Sequence, residues 1–227
     1  MARRAAIALT VALLAATGAC GDDDNGERSS PAPPVPSPGD ELPTAAAPGT
    51  YPVAELTETY VDDSRPTETP DGQGSAPSRT LVTTILYPEG EGPFPLIVLA
   101  HGLTGNPDKF TELTTAWASA GFVVAAPLFP LTSNQAPAEV IADYNNQPAD
   151  LSFVIDEVLA RSEGDEGPLA GLVAADRVGA AGLSLGGATV YGIGFNSCCR
   201  DDRVGAVVVM AGMLLAFEGE FEWPEVP

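Results

Sequence analysis

The stretch G-L-S-L-G-G, from Gly182 to Gly187, decides the fold of this chain. The segment before it, R-V-G-A-A-G-L, has the pattern of a strand, and the segment G-A-T-V-Y-G-I has that of a helix. A sharp turn from strand to helix presents a serine side chain at the edge of a sheet, and small residues at Gly182 and Gly186 let the backbone turn that tightly. A lone G-x-S-x-G is a weak signal. It is this context that predicts Ser184 as a nucleophile.

A second motif agrees with the first. The run P-L-I-V-L-A, residues 95–100, predicts a strand covered on both faces, and it leads into H-G-L-T-G, from His101 to Gly105. In acyl transfer, two backbone N–H groups can stabilise the oxyanion of the tetrahedral intermediate. We expect one from Leu185, directly after the serine, and the other from Leu103. The alternative is a glycine-rich turn without a chemical role.

Strand patterns and helical patterns alternate along the chain and predict an α/β protein with a mainly parallel sheet. The predicted strands cover residues 51–61, 80–87, 95–100, 122–127, 177–183 and 204–211, and the predicted helices cover 109–120, 149–161 and 186–195.

With these motifs in this order, the sequence resembles the α/β-hydrolase family, and within it the dienelactone hydrolases, platelet-activating-factor acetylhydrolases and bacterial polyesterases. The resemblance covers roughly residues 51–217 and rests on H-G-L-T-G, Q-P-A-D-L-S-F-V-I-D and G-L-S-L-G-G. It implies an α/β-hydrolase fold with helices on both faces of the sheet. It also implies hydrolysis of small or polymeric carboxylic esters through an acyl-enzyme formed by a serine-centred triad.

The sequence contains no histidine after Ser184 that could act as the general base. In this family the order along the chain is serine, acid and histidine, whereas the one histidine here, His101, precedes the serine. It matches the family's oxyanion-loop histidine, which shapes the loop together with Gly102; a role as the base is the less favoured alternative. Because 43 residues follow Ser184, we expect an incomplete hydrolase that lacks the final strands and the catalytic histidine. The glutamates between 218 and 225 are predicted to be a solvated acidic tail rather than the acid.

The leading hypothesis is therefore a serine hydrolase of carboxylic esters, represented by an incomplete chain. The alternatives are a non-catalytic, ligand-binding lipoprotein of hydrolase fold and a peptidase of the same fold. Metal-ligand clusters, dinucleotide fingerprints and phosphate-binding loops are not visible in the sequence, which predicts neither a metal nor a cofactor.

Charge argues against one class of partner. The formal net charge is −21, with a single lysine, Lys109, against nine arginines. Nucleic-acid binding needs clustered positive charge, so we expect no nucleic-acid partner.

The first 49 residues read as targeting and linker sequence. A positive start, an apolar run over 5–19 and the ending T-G-A-C are typical of a secretory signal. The cysteine after small residues, Cys20, resembles the lipobox of bacterial lipoproteins, which implies a lipid anchor. We predict a signal peptide over 1–20, a proline-rich disordered linker over 21–49 and a hydrolase domain over 50–227. The protein would be an outward-facing membrane lipoprotein, or would be secreted.

Two adjacent cysteines, Cys198 and Cys199, remain. Under oxidising conditions they could bond to each other or to cysteines outside this sequence, and metal binding is less favoured.

Overall fold

A computed structural model describes residues 49–223, which fold around one six-stranded sheet. The predicted signal peptide, Cys20 and nearly all of the predicted linker lie outside the described residues. The strands are β1 (Val53–Asp62), β2 (Arg79–Pro88), β3 (Phe94–Ala100), β4 (Val123–Leu128), β5 (Val173–Leu183) and β6 (Val204–Met210). The helices are α1 (Thr111–Ser119), α2 (Gln147–Glu163) and α3 (Leu185–Phe195), with short 3-10 turns at Pro107–Phe110 and Ile141–Asn145.

The strand order in the sheet is β1-β2-β4-β3-β5-β6. The pairs β1–β2 and β2–β4 are antiparallel, while β3 runs parallel to β4 and β5, and β5 runs parallel to β6. The crossover through α1 leads from β3 to β4, and the crossover through α3 leads from β5 to β6. In the strand order β4 and β6 lie in opposite directions from the central pair β3–β5. The connections thus diverge between β3 and β5, and ligand sites in open α/β sheets lie at the carboxyl ends of strands at such a point.

Helices cover both faces of the sheet. Alternate residues of the central strands, such as Val98 and Ala125, pack with α2 and α3, whereas Leu99 and Val124 face α1 through Phe110. A strand buried on both faces has no polar alternation, which is why β3 and β4 read as continuous apolar runs. Among the helices within residues 49–223, none has the length and apolar character needed to cross a membrane.

The predicted elements are all present, and their ends differ by a few residues. The largest difference is at β5, which begins at Val173 rather than Arg177. Its pairing with β3 is interrupted by a register shift, which places the exposed Asp176 and Arg177 outside the regular ladder. Charged residues within an apolar run predict a loop. Here the register shift lets the strand continue while these two side chains lie in solvent.

A buried cluster of charges joins the sheet to the start of α2. The guanidinium of Arg79, which is inaccessible to solvent, donates hydrogen bonds to both oxygens of Asp143 at 3.0 and 2.9 Å and to both oxygens of Asp150 at 2.7 and 2.6 Å. Burial alone would lower the pKa of Arg79, but the hydrogen bonds and charges of the two carboxylates outweigh it and raise that pKa. No sequence pattern pairs Arg79 with these two aspartates, which lie 64 and 71 positions away, although Asp150 belongs to the segment Q-P-A-D-L-S-F-V-I-D.

An apolar groove of about 520 Å³ lies on the α1 face of the sheet. It is bordered by Trp117 and Phe122 on one side and by β6, where Val208 is half exposed, on the other. Ser184 and the H-G-L-T-G loop are not among its lining residues. This groove is therefore separate from the turn that carries the serine.

The two adjacent cysteines are bonded to each other. Cys198 and Cys199 form a disulfide in the segment between α3 and β6. Of the pairings that the sequence left open, the structure has the local one.

Candidate active site

Ser184 lies on the turn between β5 and α3, where its residue is exposed at the carboxyl edge of the sheet. Its backbone has φ 55° and ψ −116°, in a region that residues with side chains rarely occupy. The turn is tight because a β-carbon on Gly182 would overlap the carbonyl of Gly186, and one on Gly186 would overlap the carbonyl of Ala100. The Ser184 N–H donates to the carbonyl of Met210 at 2.9 Å, which ties the turn to the end of β6.

The H-G-L-T-G loop lies directly against this turn. A β-carbon on Gly102 would be 3.2 Å from Cβ of Ser184 and 3.8 Å from its Oγ. The backbone of Gly102 can approach the serine this closely because it has no side chain. A cleft of about 170 Å³ lies between the loop and the serine, lined by Gly102, Leu103, Gly105, Lys109, Phe110, Leu183 and Ser184.

The backbone donors around the cleft divide into two groups. The N–H of Thr104 donates to the carbonyl of Thr132 at 2.7 Å, and that of Gly105 donates to the carbonyl of Gly102 at 2.9 Å. Within residues 49–223, by contrast, the N–H groups of Leu103 and Leu185 donate to no protein acceptor. Leu185 is the first residue of α3, so its N–H belongs to the positive end of the helix dipole.

His101 is fully buried at the start of the loop, and both ring nitrogens are occupied by the backbone. Its Nε2 accepts a hydrogen bond from the N–H of Phe129 at 3.1 Å, so the proton resides on Nδ1, which donates to the carbonyl of Gly102 at 2.8 Å. Burial lowers the pKa of His101, partly opposed by the bond to Gly102. The ring is a neutral brace of the loop, and no free nitrogen is left to accept the proton of Ser184.

A neutral, buried His101 makes stability depend on pH. Because the pKa of His101 in the folded chain lies below 6.5, the unfolded chain takes up a proton first as the pH falls through about 6.5. We expect His101 to lower the free energy of unfolding by up to about 1.4 kcal/mol per pH unit below that point, until the folded state also binds the proton.

The matched variant is His101→Gln, which keeps an acceptor for the N–H of Phe129 but cannot titrate. Urea unfolding of both proteins between pH 4.5 and 7.5 should give a steeper loss of stability for the wild type below pH 6.5. Equal slopes would show that His101 is not held neutral.

Ser184 Oγ has no hydrogen-bond partner among residues 49–223. Glu222 of the acidic tail pairs instead with Arg200, at 2.9 Å on the surface. No three His, Cys, Asp or Glu side chains converge as metal ligands in the described part of the chain. The structure thus brings together Ser184, Gly102, Leu103 and Gly105, and among residues 49–223 no side chain hydrogen-bonds to the serine hydroxyl.

Several residues around the site were not singled out from the sequence. Lys109 and Phe110 line the cleft, and Lys109 Nζ donates to the carbonyl of Thr104 at 3.2 Å. The composition could have drawn attention to Lys109, because it is the single lysine of an acidic chain. Three further residues form a buried polar link behind the cleft: Thr132, Gln147 and Thr189. Thr132 and Thr189 belong to no motif. Gln147 begins the segment Q-P-A-D-L-S-F-V-I-D, but a sequence does not show that its side chain joins two distant segments.

The divergent connections around β3 and β5, with a serine on the sharp turn after β5, define an α/β-hydrolase. The family model named chlorophyllase matches residues 47–210, and the chain belongs to that family. A search of curated proteins finds no match.

Among solved structures, the chain is similar to a ferulic acid esterase from Streptomyces cinnamoneus, with a TM-score of 0.54 and 23% sequence identity. The match covers 70% of this chain and 59% of that esterase, so the chain spans less than two thirds of the esterase's length. The likeness shows the α/β-hydrolase fold.

Proposed function

We propose that this protein is a serine hydrolase of carboxylic esters in which Ser184 forms the acyl-enzyme. The observation that carries the proposal is the backbone of Ser184, held at φ 55° between a strand and a helix with Gly102 against it. A residue stays in such a strained conformation only where the surrounding structure enforces it. The sharp turn exposes the Ser184 hydroxyl at the edge of the sheet. Membership of the chlorophyllase family supports an esterase rather than a non-catalytic binding protein.

In the proposed reaction, Ser184 Oγ attacks the carbonyl carbon of the ester and its proton passes to a base. The oxyanion that forms is stabilised by the N–H groups of Leu103 and Leu185, which donate to no acceptor within residues 49–223. Collapse of the tetrahedral intermediate breaks the bond to the alcohol, which leaves with a proton, and water then hydrolyses the acyl-enzyme. His101 braces the oxyanion loop. Within residues 49–223 no side chain accepts a hydrogen bond from Ser184 Oγ, so we assign the base to none of them.

This assignment predicts catalysis that an added base can rescue. The 227-residue chain should hydrolyse a short p-nitrophenyl ester negligibly, because loss of a triad member costs on the order of 10⁴-fold or more. Imidazole should raise both this rate and the rate at which a fluorophosphonate labels the protein. A p-nitrophenolate leaving group needs no acid, so a free base can serve.

Imidazole cleaves such esters by itself, so the matched control is Ser184→Ala in the same buffer. The variant should show only the background rate of imidazole and no labelling. Mass spectrometry should place the label on Ser184. A wild-type protein that is folded but reacts no faster than Ser184→Ala, at any imidazole concentration, would contradict the proposed function and favour a ligand-binding protein of the same fold.

We also propose that the protein is exported and held at the outer face of the cell membrane through a lipid on Cys20. The positive start, apolar run and small residues before Cys20 support this. Replacing Cys20 by alanine should move the protein from the membrane fraction to the soluble or secreted fraction, whereas Cys198→Ala should leave it in the membrane. Membrane association that is unchanged in Cys20→Ala would refute the anchor.

A further inference from the structure

The side-chain amide of Gln147 lies behind the cleft and bridges the two segments that flank it. Gln147 is the first residue of α2 and is inaccessible to solvent. We propose that Gln147 is a positioning residue, which sets the separation between the two oxyanion donors by holding Thr132 on one side and Thr189 on the other. This inference rests on the proposed function.

The first arm of the bridge reaches the oxyanion loop. Gln147 Nε2 donates to Thr132 Oγ1 at 2.6 Å, and both side chains are fully buried. The carbonyl of Thr132 accepts the N–H of Thr104 at 2.7 Å. Thr104 follows Leu103 directly and has φ 53°, a left-handed conformation that an L-residue adopts at some cost. Thr132 thus holds in place the strained residue next to one oxyanion donor.

The second arm reaches the helix that begins at the other donor. Thr189 Oγ1 donates to Gln147 Oε1 at 2.5 Å and also lies 3.1 Å from the carbonyl of Leu185. Thr189 is one turn into α3 and is fully buried. A single amide therefore connects the segment of Leu103 to the segment of Leu185, which are 82 positions apart in the sequence.

The bridge is itself anchored. Asp150, one turn along α2 from Gln147, binds Arg79 of β2 through both of its oxygens. The start of α2 is fixed to the sheet by this buried pair, so the Gln147 amide has a defined position from which to act. Buried polar links of this kind restrict geometry strongly, because each lost partner leaves an unsatisfied group.

The test compares variants that remove one hydroxyl with variants that keep it. Thr132→Val deletes the hydroxyl that Gln147 contacts with little change in shape, and Thr132→Ser restores it. Thr189→Val and Thr189→Ser form the same pair on α3. Thr83→Val is the control, because Thr83 is equally buried and, within residues 49–223, its hydroxyl donates only to the carbonyl of Leu81 in the same strand. Gln147→Leu removes both arms.

The rate of fluorophosphonate labelling at saturating imidazole is measured for each protein well below its unfolding temperature. Misplacement of reacting groups by about 1 Å costs on the order of 100-fold. We therefore expect Thr132→Val and Gln147→Leu to lower the limiting labelling rate by about 10- to 100-fold, with the probe concentration at half-maximal rate unchanged. Thr132→Ser and Thr189→Ser should label within about threefold of the wild type, and Thr83→Val at the wild-type rate.

The outcomes separate this inference from the function on which it rests. Wild-type protein that is not labelled at Ser184 overturns the proposed function. Labelled wild type together with Thr132→Val and Thr189→Val proteins that react at the wild-type rate overturns the positioning role alone. A purely structural role would lower the unfolding temperature without slowing the folded protein. If Gln147→Leu does not fold, the threonine pairs decide the question.

Discussion

Replacement of Arg79 by leucine is expected to lower the free energy of unfolding by about 3–5 kcal/mol. The guanidinium is inaccessible to solvent and is the shared partner of Asp143 and Asp150, both of them buried. Without it, the buried Asp143 loses its ion pair, and within residues 49–223 Asp150 keeps only the partly exposed Arg65, 2.9 Å from its Oδ1. Because whole domains are stable by only about 5–15 kcal/mol, this loss is a large fraction of the total.

Urea unfolding monitored by circular dichroism measures this effect. Arg161→Leu is the matched control, because Arg161 is 54% exposed and lies 3.5 Å from Glu58 on the surface. Such pairs contribute about 0–1 kcal/mol. Arg79→Lys should be intermediate, since an ammonium keeps the charge but cannot bind two carboxylates through a planar fork. An equal decrease in the free energy of unfolding for Arg79→Leu and Arg161→Leu would mean that the buried cluster contributes no more stability than a surface ion pair.

Replacement of Gly186 by alanine should remove the reactivity of Ser184 and destabilise the fold. The added methyl group would overlap the carbonyl of Ala100 at the end of β3, which is backbone and cannot rotate away. Either α3 must move from the sheet or the start of the H-G-L-T-G loop must shift. Overpacking in a close-packed site costs about 1–3 kcal/mol, and a shift of about 1 Å between nucleophile and oxyanion donors costs on the order of 100-fold in rate.

Gly205→Ala provides the control for this variant. A β-carbon at Gly205, in β6, would meet nothing closer than the carbonyl of Val178 at 3.9 Å. Labelling in imidazole and thermal unfolding should both remain near wild type for Gly205→Ala, while Gly186→Ala should lose most of its labelling. Wild-type labelling of Gly186→Ala would show that the turn has more room than its backbone contacts allow.

The order of strands and helices was predictable because it depends on local patterns. Continuous apolar runs such as 95–100 belong to strands covered on both faces. Helical spacing predicted that Phe110, Leu113 and Trp117 share one side, and in the structure Phe110, directly before α1, clusters with Leu113 and Trp117 of α1. The start of β5 was predicted four residues late, since Asp176 and Arg177 interrupt the apolar pattern and a register shift is not visible in a sequence.

The positions of the candidate site residues were also accessible from the sequence. Gly182, Ser184 and Gly186 lie on a strand-to-helix turn, and Gly102 and Leu103 lie beside the serine, as the two motifs predict. Their chemical roles remain predictions. The polar links through Arg79 and Gln147 were not predicted, because their partners Asp150 and Thr189 are 71 and 42 positions away. The segment Q-P-A-D-L-S-F-V-I-D contains Gln147 and Asp150, but its pattern does not show which side chains they contact.

The strand order described above has a consequence for the route of folding. β5 lies between β3 and β6, and its pairing with β3 joins Phe94 to Val173 and Ala100 to Gly182, so this pairing must close a long loop of chain. Loop closure at such separations is entropically costly, and non-local parallel pairing is slow. The strand that completes this pairing, β5, ends at Leu183, directly before Ser184. On refolding from urea, reactivity toward a fluorophosphonate should therefore appear later than the bulk of the secondary structure.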